Sequence, residues 1–403
     1  MNFIFVVDVF PSLSETFVLN QITGLIDLGH NVVILSAARP NERDYHDDVH
    51  KYGLLKKTYY HNDRHNNKFS RIIGGLLLMI RYGYRNPKAV WNSLNFFKYK
   101  KEALSLNYLY KVMLFLKIGK TDIIFCHFGP NGNFAAQMKE LGVQGKLVTM
   151  FHNYDIRHGI EKGGEIYAKL FKYGDRYLSI SDFNYKHLVG FGAPVEKIRK
   201  HPVGIDLDRY AFSLRSLPAK GAVKILTVAR LHKVKGLIYG LETIHRLVYE
   251  RSLMNIEYHI IGDGVQLEEL QIMAQKLKIK DKVYFLGSQT QLGVIKQMSE
   301  SHLFFLPSIS EALPVVLMEA QAMGLPVVAT DVGSVSQVIA DNQSGYIVPV
   351  GDVKAMCDKI EYLIRNPQLW GVIGQDGRRH VEDHYDIKKL NQRLVDLCQE
   401  LLE

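Results

Sequence analysis

The chain has 403 residues, 47% of them apolar and 23% charged, with 32 glycines, 12 prolines and a formal net charge of +9. That composition is globular, can bury a large core, and excludes collagen-like and low-complexity classes; the length suits two or three domains. Three cysteines, Cys126, Cys357 and Cys398, form no CxxC pair, which argues against a disulfide framework or a cysteine-rich zinc site and fits a reducing cytoplasm.

In chain order, MNFIFVVDVF reads as a first strand: its apolar run is short, lacks a basic flank and meets Asp8 at once, unlike a signal peptide. The spacing predicts further strands at 31–35, 122–126, 146–151 and 176–180, then at 223–228, 256–261, 282–286, 302–306, 326–330 and 345–348. Several are apolar on both faces and all alternate with helical stretches, the pattern of parallel sheets covered by helices. The rhythm breaks in the polar, turn-rich stretch 206–221. The expected fold class is therefore α/β: two Rossmann-like domains with a cleft between them, at 1–205 and 206–380. Residues 381–403 add a C-terminal helix that packs back across the hinge. The longest apolar run, Ile72 to Ile80, is nine residues, about half a membrane span. No spanning helix and no secretion are expected.

Charge is unevenly placed. Residues 51–120 carry 15 Lys or Arg against 2 Asp or Glu, while 1–50 carry 2 against 7. Tyr82, Tyr84, Trp91, Phe96, Phe97, Tyr99, Tyr108, Tyr110 and Phe115 lie among Arg81, Arg85, Lys88, Lys98, Lys100 and Lys101. A basic, aromatic, helical stretch suits an anionic membrane surface. Its other readings are helices whose aromatics fill the core, or a nucleic-acid surface; no nucleic-acid motif accompanies it, so no nucleic-acid partner is expected.

Three segments of the second half carry chemistry. In SISEALPVVLMEAQAMGLPVVAT, residues 308–330, Pro314 suits the first turn of a helix through Val315–Met323 that stops at Gly324. Such a helix start suits a phosphate, with Leu313 and Val315 as amide donors because Pro314 has none. Glu311 and Glu319, eight residues apart, can accept hydrogen bonds from sugar hydroxyls; an acidic helix end would look the same. In VARLHKVKGL, residues 228–237, Arg230 and Lys235 follow a strand and can neutralise a diphosphate, or form a basic surface loop. In IGDG, Gly262 and Gly264 would let the backbone approach a base or a ribose, or make a plain turn. Asp206 and Asp208 spell a DxD metal motif but lie in the linker. His61 and His65 are spaced by four without an acidic partner and read as surface residues. His127 follows a strand and is a cleft candidate.

Together and in this order, these segments resemble the C-terminal domain of retaining glycosyltransferases of family 4, the glycosyltransferase group 1 enzymes. HPVGIDLDRY at 201–210 and AMGLPVVAT after Glu319 extend the match. PSLSETFVLNQI at 11–22, CHFG at 126–129 and FHNYDI at 151–156 resemble the subgroup that builds bacterial exopolysaccharides, colanic acid included. The resemblance implies a GT-B fold whose second domain holds a UDP- or GDP-sugar as co-substrate, with no cofactor and no metal. Glu311 would meet donor sugar hydroxyls and Glu319 the ribose. Arg230 and Lys235 would hold the diphosphate, and His152 would face the reacting sugar and orient it. The family's E-G-F-G run is Glu311-Ala312-Leu313-Pro314 here, and its N-terminal glycine-rich loop is replaced by residues 10–14. Ser14, Glu15 and Thr16 are the acceptor-side candidates. The reaction expected is same-face transfer of a sugar to a lipid-linked saccharide or oligosaccharide. It would take place in the cytoplasm, at the inner face of the cell membrane, with residues 51–120 on anionic lipid. A nucleotide-sugar epimerase of the same architecture and a non-catalytic membrane-associated scaffold are the competing readings.

Overall fold

A computed structural model describes residues 1–12, 15–40, 45–61 and 67–403. The chain divides into two compact units, Met1–Pro202 with Lys388–Glu403, and Val203–Ile387. The boundary thus precedes the polar stretch 206–221, which belongs wholly to the second unit. The helix Ile387–Gln399 belongs to the first unit from its second residue onward. There Asn391 packs directly on Gly24: a Cβ at that position would lie 1.9 Å from the Asn391 Nδ2.

In the first unit the strands are β1 (Asn2–Val9), β2 (Asn31–Ala38), β3 (Thr58–Tyr60), β4 (Ile123–His127), β5 (Lys146–Phe151), β6 (Arg176–Ser179) and β7 (Ile198–Lys200). Among the described residues they form one parallel sheet in the order β3-β2-β1-β4-β5-β6-β7. In the second unit β8 (Val223–Val228), β9 (Ile256–Ile261), β10 (Val283–Phe285), β11 (Leu303–Leu306), β12 (Val327–Thr330) and β13 (Tyr346–Val348) form a parallel sheet in the order β10-β9-β8-β11-β12-β13. Both are doubly wound. Chain direction across each sheet reverses beside its first strand, at β1/β4 and at β8/β11, where such sheets bind ligands at their carboxyl ends.

The strands read from the sequence are all present, within a few residues of their expected ends. β3 and β7 are additional: they are three-residue edge strands, too short to show a period and without a fully apolar run. Residues buried on both faces explain why the central strands were legible. Every residue of β4, β11 and β12 is buried.

Two local expectations are corrected. Pro314 precedes the helix Val315–Ala322 at its N-cap, with φ −78° and ψ 94°, and does not sit in the first turn. The helix ends at Ala322 with Met323 as its C-cap.

Candidate functional site

In the second unit the loops after β8 and β11 are laced together. The amides of Ile309 and Ser310 both donate to the carbonyl of Val234, at 2.8 and 3.1 Å. Gly236, at φ +60°, is pressed so close that a Cβ would lie 2.0 Å from the Pro307 carbonyl oxygen. That contact brings Lys235, 76 residues away in sequence, to Glu311: Nζ to Oε1 is 2.7 Å. Ser308 Oγ donates to the same oxygen at 2.7 Å. The Lys235 and Glu311 side chains are only 18% and 9% exposed, so the pair is a fixed feature and not a passing surface contact. Gly333, in the loop after β12, completes the lacing: at φ +58° its Cβ would lie 2.0 Å from the Glu311 carbonyl oxygen.

Glu319 lies on the helix that starts just beyond this pair. Tyr210 donates its hydroxyl to Glu319 Oε1 at 2.6 Å and accepts from Gln291 Nε2 at 3.1 Å. Burial pushes the Glu319 carboxyl up to about 6, and the Tyr210 bond pulls the other way. Arg378 fixes the tyrosine from behind, donating to the carbonyls of Tyr210 at 2.8 Å and Ala322 at 3.0 Å. The start of the helix leaves the amides of Val315 and Val316 without carbonyls one turn back, and Leu313 is buried beside them. Arg230 is exposed at the end of β8.

Gly262 and Gly264 both lie against a neighbouring loop of the protein. A Cβ on Gly262 would lie 1.9 Å from the Ala229 oxygen, and one on Gly264 would lie 2.4 Å from the Leu231 oxygen. The close approach they permit is thus to the loop carrying Arg230, which the Leu231 amide also ties to Asp263 at 2.9 Å. Asp206 acts as a cap: its carboxylate accepts from the Asp208 amide at 3.3 Å and from Arg209 Nε at 3.0 Å. Among the described residues no group of three or more His, Cys, Asp or Glu is arranged to hold a metal ion.

The first unit gathers a second cluster at the carboxyl ends of β1, β4 and β5. His127 Nδ1 and His152 Nε2 lie 3.1 Å apart, both rings buried, with Phe17 packed on His152 at 4.8 Å between ring centroids. Burial pushes His152 down to about 3 and His127 well below the ordinary histidine value, so both are neutral at physiological pH. Asp155 sets their geometry. Its buried carboxylate accepts from the amides of Gly129 at 2.8 Å, His152 at 2.8 Å and Ile156 at 3.2 Å, which pins the loop after β4 to the loop after β5. Glu15 holds the N-cap position of the helix Thr16–Asp27 with its backbone carbonyl, which accepts from the Val18 amide at 3.0 Å, and Thr16 is half-buried at the helix start. Burial, reinforced by the charge of Asp8, raises the Glu15 carboxyl to about 7. Ser14 and His65 lie outside the described residues. His61 is not a simple surface residue: its ring stacks on Phe134 at 4.4 Å.

Sequence reasoning missed Tyr210, Ser308, Gly333, Asp155, Phe17 and a third buried histidine, His201. All but Gly333 fall inside segments that carried the family resemblance. Their spacing alone held no sign of a role, because each acts through a partner brought close by the sheet.

The geometry defines a class: two doubly wound parallel sheets of the GT-B type, one with a cation–carboxylate pair beside a helix start at its switch point. The family description "Glycosyl transferases group 1" matches residues 212–380, and "Glycosyltransferase Family 4" matches residues 14–209. WcaL of Salmonella typhimurium, whose name places it as a glycosyltransferase in colanic acid biosynthesis, is 32% identical over 97% of both chains. The amylovoran biosynthesis glycosyltransferase AmsK of Erwinia amylovora is 33% identical over 86% of each. Among solved structures, Anabaena HepE in complex with UDP superposes with a TM-score of 0.74 at 14% identity, covering 99% of this chain and all of that one. A Rickettsia africae glycosyltransferase superposes at 0.73 with 17% identity, covering 100% and 99% of the two chains; both show likeness of fold. The chain is a member of glycosyltransferase family 4, the group 1 enzymes.

Proposed function

We propose that this glycosyltransferase is retaining and metal-independent, and that it transfers a hexosyl unit from a UDP- or GDP-sugar to a lipid-linked or oligosaccharide acceptor. Its product would be a bacterial exopolysaccharide, as the names of WcaL and AmsK suggest. HepE was solved with UDP and with UDP-glucose, which favours a uridine donor.

The observation that carries this reading is the Lys235–Glu311 pair at the β8/β11 switch point. Lys235 and Arg230 take the diphosphate, Lys235 as a point charge and Arg230 through its fork. Glu311, held by Lys235 and Ser308, accepts from donor sugar hydroxyls. Glu319 accepts from the ribose with the oxygen that Tyr210 does not use. Gly262 and Gly264 keep the Arg230 loop against the floor of the nucleotide site, and the amides of Leu313 and Val315 meet phosphate or sugar beside Pro314. Breaking the anomeric bond places negative charge on the departing diphosphate, where two cations and a helix start stabilise it without a metal. That oxygen then takes the acceptor proton on the same face of the sugar. Burial makes His152 a weak base, so its role is to orient the donor sugar and not to take the acceptor proton. Ser14, Glu15 and Thr16 serve the acceptor; His127, only 1% exposed, acts through His152, 3.1 Å from its Nδ1. The basic segment 51–120 docks the enzyme on anionic lipid at the inner face of the membrane, where lipid-linked acceptors are found.

A thermal-shift panel with UDP, GDP and ADP, with and without EDTA, tests the reading. One diphosphate is expected to raise the melting temperature, and EDTA to leave that rise intact. Loss of the shift in EDTA would overturn metal independence, and no shift with any nucleotide would favour the scaffold reading.

A further inference from the structure

Residues 68–82, KFSRIIGGLLLMIRY, form a helix of 15 residues capped by Asn67, whose side-chain oxygen accepts from the Phe69 amide at 3.0 Å. Phe69, Ile72, Ile73, Leu76, Leu77 and Ile80 recur every three or four residues and so line one side of it. That side faces water, from 43% exposure at Ile73 to 78% at Ile80. The other side holds the helix to the first unit. Gly75 is buried beside Leu109, Leu106 and Tyr110, and Leu78, Met79 and Tyr82 pack on the core. The next two helices, Pro87–Ser93 and Phe96–Leu104, also expose apolar side chains, Trp91 at 78% and Phe97 at 93%. The apolar stripe along helix Lys68–Tyr82 is of the kind that marks an interaction surface.

Charge decides between occupants. The stripe lies in the segment with 15 basic residues against 2 acidic ones. A second copy docked face to face would set two such segments against each other, and like charges suppress that pairing. An anionic bilayer satisfies both features, with headgroups for the lysines and arginines and acyl chains for the stripe. The helix is about 22 Å long, too short to cross a hydrocarbon core of about 30 Å. Among the described residues no helix is long and apolar enough to cross.

We propose that helix Lys68–Tyr82 is an interfacial membrane anchor. It lies in the plane of the bilayer, its stripe sunk about 5–10 Å to the boundary between headgroups and acyl chains. This rests on the membrane docking proposed above and adds its mode: apolar insertion by one named helix, in place of adsorption by charge alone.

The test uses the full chain. Cys126, Cys357 and Cys398 are buried, so a single added cysteine takes a polarity-sensitive fluorophore selectively. Labelled Leu77→Cys and, as control, Val372→Cys in the second unit are mixed with vesicles of phosphatidylcholine, with and without phosphatidylglycerol. Co-sedimentation is compared between wild type and Leu77→Glu/Ile80→Glu, two substitutions at exposed positions that leave the melting temperature unchanged. The expected result is a blue shift at position 77 only, with anionic vesicles. The double variant should lose co-sedimentation by roughly tenfold or more per residue. If wild type and double variant co-sediment equally and the probe at 77 stays in water, helix insertion is overturned while docking by charge survives. If wild type binds no vesicle, both fall. If sedimentation velocity shows a wild-type dimer that the double variant breaks, the stripe is a protein interface and the anchor is overturned.

Discussion

Replacing Glu319 by Gln separates what its carboxylate costs the fold from what it does for a ligand. Burial holds this carboxyl at about 6 against an ordinary 4.5, so the folded state binds its proton more tightly than the unfolded state does. The stability it contributes is therefore full below about pH 4.5 and is lost as the pH rises through about 6. Keeping it ionised at about pH 7.5 costs about 2 kcal/mol. Glutamine keeps an oxygen for the Tyr210 hydroxyl, now 2.6 Å from Oε1, and carries no charge. Glu319→Gln is expected to raise the melting temperature by about 4–8 °C at about pH 7.5, with the gain vanishing near pH 4.5. It is also expected to weaken UDP binding about 5–15-fold, because a ribose hydroxyl loses a charged acceptor worth about 1–1.5 kcal/mol more than a neutral one. Scanning fluorimetry at both pH values and calorimetric titration with UDP read the two effects. A variant no more stable than wild type at about pH 7.5, or equally changed at both pH values, would refute the buried-charge argument. Unchanged UDP affinity would remove Glu319 from the ribose.

Lys235→Ala is expected to weaken nucleoside diphosphate binding about 10–100-fold, the worth of a charge-assisted hydrogen bond of about 1.5–3 kcal/mol. Stability should fall by no more than about 1–2 kcal/mol, since Ser308 still donates to Glu311 at 2.7 Å; calorimetry and a melting curve check both. Gly333→Ala places a Cβ at φ +58° and 2.0 Å from the Glu311 carbonyl oxygen, so it should destabilise by about 2 kcal/mol or more and weaken the same ligand. An intact affinity would mean that this loop does not hold Glu311 in place. His127, His152 and His201 are buried and held below the ordinary histidine value, so the unfolded state gains protons that the folded state refuses. Their contribution to stability is lost as pH falls below about 6.5, and His201→Gln should flatten the fall in melting temperature between about pH 6.5 and 5.

Much of this protein was legible in one dimension. Strands buried on both faces are mostly apolar, so β4, β11 and β12 announced themselves. Parallel pairing needs crossover helices, so alternation gave the fold class. Arg230, Lys235, Glu311 and Glu319 were legible as chemistry because the sequence around them resembles a family. What the tertiary structure decided is who meets whom. Lys235 reaches Glu311 across 76 residues, and Tyr210 reaches Glu319 across 109, because strand order sets these pairings and no local pattern encodes it. Gly262 and Gly264 could be read as permissive from sequence; only the tertiary structure showed that the Ala229 and Leu231 carbonyls press on them. In helix Lys68–Tyr82 the sequence showed only an unbroken apolar run, Ile72 to Ile80. Only packing showed that Gly75, Leu78 and Met79 face the core while Leu77 and Ile80 face water. Hydrophobicity says what a side chain prefers to leave, and the rest of the fold determines which side chains can leave it.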